Sequence, residues 1–271
     1  MGYSPKIEVC VMTDKCGTAW QGFSDTEIAP DLPASGLRII SWNLLRLVGA
    51  GVGDVARLIR EHRPDLLVMQ EATKDLAELT GLVGGHFYRE PLHGRVYGLA
   101  VWSPHHIPRP KALALPVSTM PGRVPPRLAQ IIRFGGATFA NVHLSHGQFL
   151  NRWQLLHIAR SLDGAAAIIG DYNAVGPIKL PGFKDLGPRQ PTHSPTNVIS
   201  FRLDRCMARG LQCTATRVLQ RGPSDHHPIF LELRVHADEE LPTRPERRVQ
   251  RRAEHLIGKV SRLSGSVRRH A

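Results

Sequence analysis

Eight polar residues stand where apolar runs of this sequence end. RIISW ends in Asn43, DLLVMQ in Glu71, TFANV in His143, and AAAIIG in Asp171 with Asn173 two residues on. FRL ends in Asp204, while Asp225 and His226 lie in a loop just before the apolar run PIFLELRV. Charged groups are costly to desolvate, so a fold rarely sets them at the rim of its core without partners. If these ends converge, they form a pocket of four carboxylates, two carboxamides and two imidazoles. Such an oxygen-rich set suits a hard divalent cation, Mg²⁺ or Mn²⁺ ahead of zinc. Each residue alone also has a plain structural reading. Asn43 could cap a turn, Glu71 could cap a following helix, and Asp171 and Asn173 could close an Asx-turn. His226 or His227 could be a satisfied core histidine. Only the joint pattern points to chemistry.

The elements that must position these ends alternate densely with breakers. RIISWN, DLLVMQE, HFYRE, YGLAVWS, ALALPV, RLAQIIRF, ATFANVHL and AAAIIG read as strands, and FRLDRCMARG, CTATRVLQ and HPIFLELRV close the pattern. DVARLIREH reads as a helix with Asp54 as N-cap. ATKDLAELTGLVG is helical, as is the run from Leu150 to Leu162, which puts Trp153, Leu156 and Ala159 in line. The stretch 174–200, rich in Pro and Gly, reads as a long ordered loop. Several strands follow one another directly, which predicts an α/β sandwich with antiparallel or mixed sheets rather than a doubly wound parallel sheet.

Composition bounds the rest. A chain of 271 residues fits one large domain or two small ones, and 42% hydrophobic against 21% charged residues excludes a mostly disordered chain. No apolar run is long enough for a membrane-spanning helix, and no secretory signal is visible near the start. Four cysteines without a CxxC pair fit neither a disulfide scaffold nor a zinc site, so a reducing, cytoplasmic location is expected. The net charge of +12 is uneven: nine basic residues against Glu246 and Glu254 give 242–271 a charge of +7, leaving +5 for the other 241 residues. Arg outnumbers Lys 28 to 7, and a coding bias toward Arg would explain part of the excess without any partner. In that tail Val249, Ala253, Leu256, Val260, Leu263 and Val267 form one apolar stripe on an Arg-rich helix. Such a helix could pack on its own domain, dimerise, lie on an anionic membrane surface, or dock on nucleic acid. The expected organisation is an extension over 1–36, a domain over 37–236, and this basic helical tail over 237–271.

The blocks SWNLL (41–45), PDLLVMQE (64–71), NVHLSHG (141–147), GDYNAV (170–175), RLDR (202–205) and SDHHPI (224–229) together resemble the endonuclease/exonuclease/phosphatase superfamily of metal-dependent phosphoesterases. They occur in that family's order across roughly 37–235. The resemblance implies a four-layered α/β-sandwich, two packed mixed sheets flanked by helices, with the active site at one end. By position, Asn43 and Glu71 match metal-site residues, Glu71 as the main carboxylate ligand, and Asp225 matches a residue close to the metal. Asp171 and Asn173 match the pair that orients or deprotonates the attacking water. His226 matches the catalytic histidine, Asp204 its orienting carboxylate, and His143 the histidine some branches use on the leaving-group side. Of the paired histidines, His226 is the catalytic choice and His227 the structural one, because adjacent strand residues face opposite ways.

This chain also departs from particular branches. Pancreatic-type deoxyribonucleases orient the histidine at His143 with a Glu on an earlier strand, and RVYGLAVWSP offers no carboxylate. Abasic-site endonucleases carry Tyr where His143 stands, many relatives carry an aromatic where PTHSP (191–195) runs, and the further motifs of inositol phosphatases are missing.

The leading expectation is a Mg²⁺-dependent phosphodiesterase acting on nucleic acid, with basic stretches such as PGRVPPR (121–127) tracking the backbone. Aromatics are only 6%, and none can be placed as a stacking platform. The alternatives are hydrolysis of phospholipid head groups or small phosphate esters at a membrane surface, and a binding module that kept the fold without its catalysis.

Overall fold

Strand alternation sets the architecture. The computed structural model describes residues 36–118, 125–196 and 199–235. The expected extension and basic tail therefore lie outside the described residues, as does most of PGRVPPR. One sheet has the order β13 (Leu211–Val218), β14 (Ile229–Val235), β1 (Leu37–Asn43), β2 (Leu66–Thr73), β4 (Tyr97–Ser103), β3 (His86–Pro91). The other has the order β5 (Lys111–Ala114), β6 (Leu128–Phe134), β7 (Ala137–His143), β8 (Ala166–Asp171), β12 (Asp204–Arg209), β9 (Lys184–Asp185). Each sheet is mixed and holds one parallel pair, β1–β2 and β7–β8. Parallel neighbours need a crossover, and α1 (Val52–His62) and α3 (Gln148–Ser161) supply it. A short ribbon, β10 (His193–Thr196) with β11 (Ile199–Phe201), lies within the long loop.

Three apolar layers hold this sandwich. Ile39, Val68, Phe139 and Ile169 fill the space between the sheets. Ile40, Trp42, Val55 and Ile59 bind α1 to the first sheet, and Leu155, Ile158 and Ile168 bind α3 to the second. Burying each such side chain contributes about 1.5–3 kcal/mol. The order helix, sheet, sheet, helix is the four-layered α/β-sandwich expected from sequence.

The period-two alternation of each strand also builds the site. Residues 37, 39, 41 and 43 of β1 share the inter-sheet face, as do 137, 139, 141 and 143 of β7, and 167, 169 and 171 of β8. Along β1 and β7 that face changes from apolar, through a hydroxyl or amide, to a functional group, and along β8 it passes from Ala167 and Ile169 directly to Asp171. The middle layer is a buried polar seam, in which Gln70 Oε1 has no partner among the described residues. Gln70 Nε2 donates to Asn141 Oδ1 at 2.8 Å and to Ser41 Oγ at 3.2 Å, and Asn141 Nδ2 donates to Gln130 Oε1 at 3.1 Å. Gly170 fits here because a Cβ would collide with the Val142 carbonyl and crowd the Gln70 amide.

Local departures from the sequence reading have physical causes. Helix α1 is capped at Gly51, and Asp54 instead accepts the Gly51 N–H from within the first turn at 3.1 Å. ATKDLAELTGLVG divides among the end of β2, a 3₁₀ turn over Lys74–Glu78 and α2 (Leu79–Val83). FRLDRCMARG breaks into β11 and β12, because the Leu203 and Asp204 N–H groups donate to Thr192 Oγ1 at 3.1 and 2.9 Å. On α3 the buried face is Asn151, Gln154, Leu155, Ile158 and Ala159. Trp153, expected on that face, points outward.

Candidate active site

The carboxyl ends of both parallel pairs open at the same end of the sandwich, where α/β folds place ligands. In the parallel register His143 stands opposite Asp171 and Asn43 opposite Gln70. Asp204 opens β12 opposite Asp171. The loop carrying Asp225 and His226 is tied to β1 by two hydrogen bonds and braced by a third within the loop. Ser224 Oγ donates to the Asn43 carbonyl at 2.7 Å, the His226 N–H donates to Ser224 Oγ at 3.1 Å, and the Trp42 indole donates to the His226 carbonyl at 3.0 Å. His227 turns away, with Nδ1 3.1 Å from the Leu219 carbonyl oxygen, as a structural histidine would.

Asp171 Oδ2 is the hub of the cluster. Asn43 Nδ2 donates to it at 3.0 Å, His143 Nε2 lies at 3.5 Å, and His226 Nε2 at 3.8 Å. Its other oxygen accepts the Asn173 N–H at 2.9 Å, so the Asx-turn forms inside the site rather than in place of it. Asn173 sits at φ 47° and donates its amide to the Leu144 carbonyl at 3.0 Å, while Asn151 holds the Asn173 carbonyl at 3.0 Å. Glu71 occupies a β-bulge with φ 56°, a left-handed conformation that re-aims its side chain. Its Oε2 accepts from the Arg46 backbone N–H at 3.1 Å and guanidinium at 3.2 Å. Glu71 thus lies at the rim beside Arg46, outside the tight group around Asp171.

The two histidines carry opposite electrostatics. Burial alone would lower His226, but Asp204, Asp171 and Asp225 outweigh it and raise the group to about 10. Its Nδ1 lies 2.8 Å from Oδ2 of the fully buried Asp204, so the pair fixes the ring and stabilises the imidazolium. His143 falls to about 3, through burial and the neighbouring Arg127 charge. It is a neutral imidazole at physiological pH. Its buried Nδ1 has no hydrogen-bond partner among the described residues, as the missing carboxylate in RVYGLAVWSP leads one to expect.

Two further residues reach the site, one closing the basic stretch PGRVPPR and one within PTHSP, neither singled out from sequence. Arg127, 6% exposed, has Nε and one terminal nitrogen buried without partners. Burial lowers its pKa, and Tyr97, Asp171 and Glu71 partly restore it. A buried cation with unspent donors is equipped to take a phosphate oxygen. His193, in PTHSP, brings Nε2 to 3.2 Å from Asp225 Oδ2 and packs its ring 4.4 Å from that of His226.

A divalent cation fits this donor set. Asp171, Asp204 and His226 offer ligand atoms within 4.8 Å of one another, and Asp204 Oδ1 and Asp225 Oδ1 are buried without partners. The four carboxylates outnumber the cations His226 and Arg127 beside them.

Known structures share this fold. A structure of an endonuclease/exonuclease/phosphatase from Beutenbergia cavernae has a TM-score of 0.58 and 21% identity over 74% of this chain and 72% of that one. A Bacteroides thetaiotaomicron mannosyl-6-phosphatase has a TM-score of 0.60 and 18% identity over 73% and 99%. D. rerio TDP2 complexed with a single-strand DNA product has a TM-score of 0.57 and 19% identity over 74% and 100%. At these identities the likeness is one of fold. No match was found among curated protein sequences. The family model for the Endonuclease/Exonuclease/phosphatase family matches residues 40–226, and the chain belongs to that family of phosphoester hydrolases.

Proposed function

We propose that the protein is a divalent-metal-dependent phosphodiesterase acting on nucleic acid. The observation that carries the choice of substrate is a pair of exposed aromatics on the helix that follows His143. Phe149 is 92% exposed and Trp153 53% exposed, four residues apart and so on one helical face. They supply the platform that composition alone could not place, and base–aromatic stacking contributes about 1–3 kcal/mol per base.

A hard cation held by Glu71 from the rim and by Asn43, Mg²⁺ by the oxygen chemistry of that pair, would neutralise phosphate charge and polarise the phosphorus centre. The chain's own residues do the rest. Arg127 binds a non-bridging oxygen through its free donors. His226, held cationic by Asp204, donates from Nε2 to the phosphate as charge develops and passes that proton to the ester oxygen that departs as its bond to phosphorus breaks. Asp171 accepts the proton of the attacking water, and Asn173 fixes the turn that aims it. His143 serves as a neutral donor and not as an acid.

A second reading, hydrolysis of phospholipid head groups, is favoured by Leu47 and Val48. These are 76% and 77% exposed in the loop after Asn43, and aliphatic groups enter a lipid interface rather than stack on bases. The deciding experiment offers Mg²⁺-loaded protein single-stranded and duplex DNA, RNA, a hexose 6-phosphate and anionic phospholipid vesicles, with His226→Ala as the control. Nucleic-acid cleavage lost in the control supports the proposal. Turnover confined to the sugar phosphate or the vesicles refutes it.

A further inference from the structure

His193 and His226 face each other across an isolated antiparallel bridge. The flanking hydrogen bonds, Ser194 N–H to the Asp225 carbonyl at 2.9 Å and His227 N–H to the Thr192 carbonyl at 2.7 Å, make them a non-hydrogen-bonded cross-strand pair. In such a pair both side chains leave the same face at the closest spacing a sheet allows. Asp225 joins them, and one donor atom from each of the three residues lies within 4.8 Å of the others. His226 Nδ1 is engaged by Asp204, so Nε2 is the atom left to ligate. Two ligands about 2.0–2.1 Å from a tetrahedral ion stand roughly 3.3 Å apart. The His193–Asp225 separation of 3.2 Å is already such an edge.

We propose that His193, Asp225 and His226 form a binding site for a zinc-type transition ion at the mouth of the active site, and that its occupancy inhibits hydrolysis. The donor chemistry separates this site from the oxygen-rich one beside it. Two imidazoles and one carboxylate suit zinc, cobalt or nickel, whereas magnesium demands near-octahedral oxygen coordination. Asp204 already fixes the distal nitrogen of His226, as carboxylates do for metal-bound histidines. An entry path exists, since the His193 side chain keeps 15% and that of Asp225 26% of its surface exposed. Inhibition follows because an ion on Nε2 removes the proton that His226 would donate. That clause rests on the proposed role of His226; binding does not.

The test titrates Co²⁺, a spectroscopic stand-in for zinc, into the full-length protein with Mg²⁺ in excess, following visible d–d absorption. His193→Phe keeps a ring against His226 and removes one ligand; His193→Gln is a second variant, and both are checked for folding by circular dichroism. One equivalent should bind wild type, and both variants should bind about 100-fold more weakly, since losing a ligand costs at least as much as losing the group that orients one. Zn²⁺ should inhibit wild-type hydrolysis with an inhibition constant that rises in parallel in the variants. Equal Co²⁺ affinity in wild type and variants overturns the site. Binding that needs His193 but leaves hydrolysis untouched overturns the inhibition and the proton-donor role of His226, while the site stands.

Discussion

Gln70 of one sheet donates to Asn141 of the other at 2.8 Å, two residues before His143 and one before Glu71. This bond ties the two halves of the site together. Asn141 is fully saturated, its amide also reaching the Met69 carbonyl at 3.2 Å and the Ala100 carbonyl at 3.0 Å. Replacing it with Leu leaves Gln70 and Gln130 with unmet polar groups in a buried layer. We expect Asn141→Leu to lose about 2–4 kcal/mol in urea denaturation. Adding Gln70→Leu should recover part of that loss, because an apolar pair costs less than an orphaned amide. A double variant weaker than the sum of the singles would refute the coupling.

Asp204 should set both the activity and the alkaline behaviour of the protein. Asp204→Asn removes the strongest charge partner of His226, whose ordinary value in an unfolded chain is about 6.5. The native ring holds its proton to about 10, so the stabilisation is present in full below pH ~6.5 and drains away as pH rises to about 10. Wild type should therefore lose more stability than Asp204→Asn between pH 7 and 10. Turnover in the variant should fall by about 10²-fold or more, with its alkaline limb moved to lower pH. Imidazole NMR titration of His226 reads the shift directly; an unmoved resonance would refute it.

His143 gives the opposite sign. The native ring refuses a proton until about pH 3, whereas the unfolded ring accepts one near pH 6.5. Native stability is thus lost as pH falls through that window. His143→Gln abolishes this contribution, so its stability should decline less than wild type between pH 7 and 5. Because the role assigned to His143 needs only a neutral donor, Gln should retain more activity than Leu. The pH–rate profile of His143→Gln should keep the wild-type shape. An acid limb that disappears with His143 would show it acting as a titrating acid instead.

Much of this was legible because β-strands alternate. In TFANVH the inward positions Phe139, Asn141 and His143 run from apolar to amide to imidazole, and in AAIIGD they run from Ala167 and Ile169 straight to Asp171. A polar residue closing such a run marks a strand end at the rim of the core, and SDHHPI announced its loop by the same contrast. Other features lay beyond that signal. Arg127 is one arginine of 28, in a Pro-rich stretch that reads as surface. Its burial beside Asp171 and Glu71 is a tertiary outcome that no local pattern encodes. His193 pairs with His226 through a bridge between two loops, 33 residues apart in sequence, so only tertiary register reveals it. Trp153 carried a misleading signal: its helical spacing with Leu156 suggested the core face, while the polar Asn151 and Gln154 took it, drawn in by the Asn173 carbonyl and the Ser145 backbone.

Arg127 should separate stability from function. Its buried guanidinium lacks hydrogen-bond partners for two of its nitrogens, so replacing it with Met removes a cation whose desolvation the neighbouring carboxylates only partly offset. Thermal unfolding of Arg127→Met is expected at an equal or higher temperature than wild type. Its kcat/KM should fall by about 10²-fold or more if the guanidinium holds the phosphate. Arg127→Lys keeps the charge but loses the forked geometry, and should recover only part of the rate. A destabilised Met variant with normal turnover would mark Arg127 as structural.

Phe149 and Trp153 test what the site acts on. Both leave α3 on its solvent side, where an exposed aromatic gains nothing from the fold, so Ala at either position should move stability by less than about 0.5 kcal/mol. If they stack on bases beside the scissile phosphate, each substitution costs about 1–3 kcal/mol of substrate binding. That is a rise in KM of roughly 5- to 150-fold on single-stranded DNA, with kcat little changed, since the contact is made equally before and during reaction. Duplex substrates, whose bases are already stacked, should respond less than single strands. Should the same substitutions leave nucleic-acid kinetics intact and instead abolish vesicle binding, the aromatic face belongs to a lipid interface. A small phosphate ester, too short to reach α3, should be indifferent to both changes.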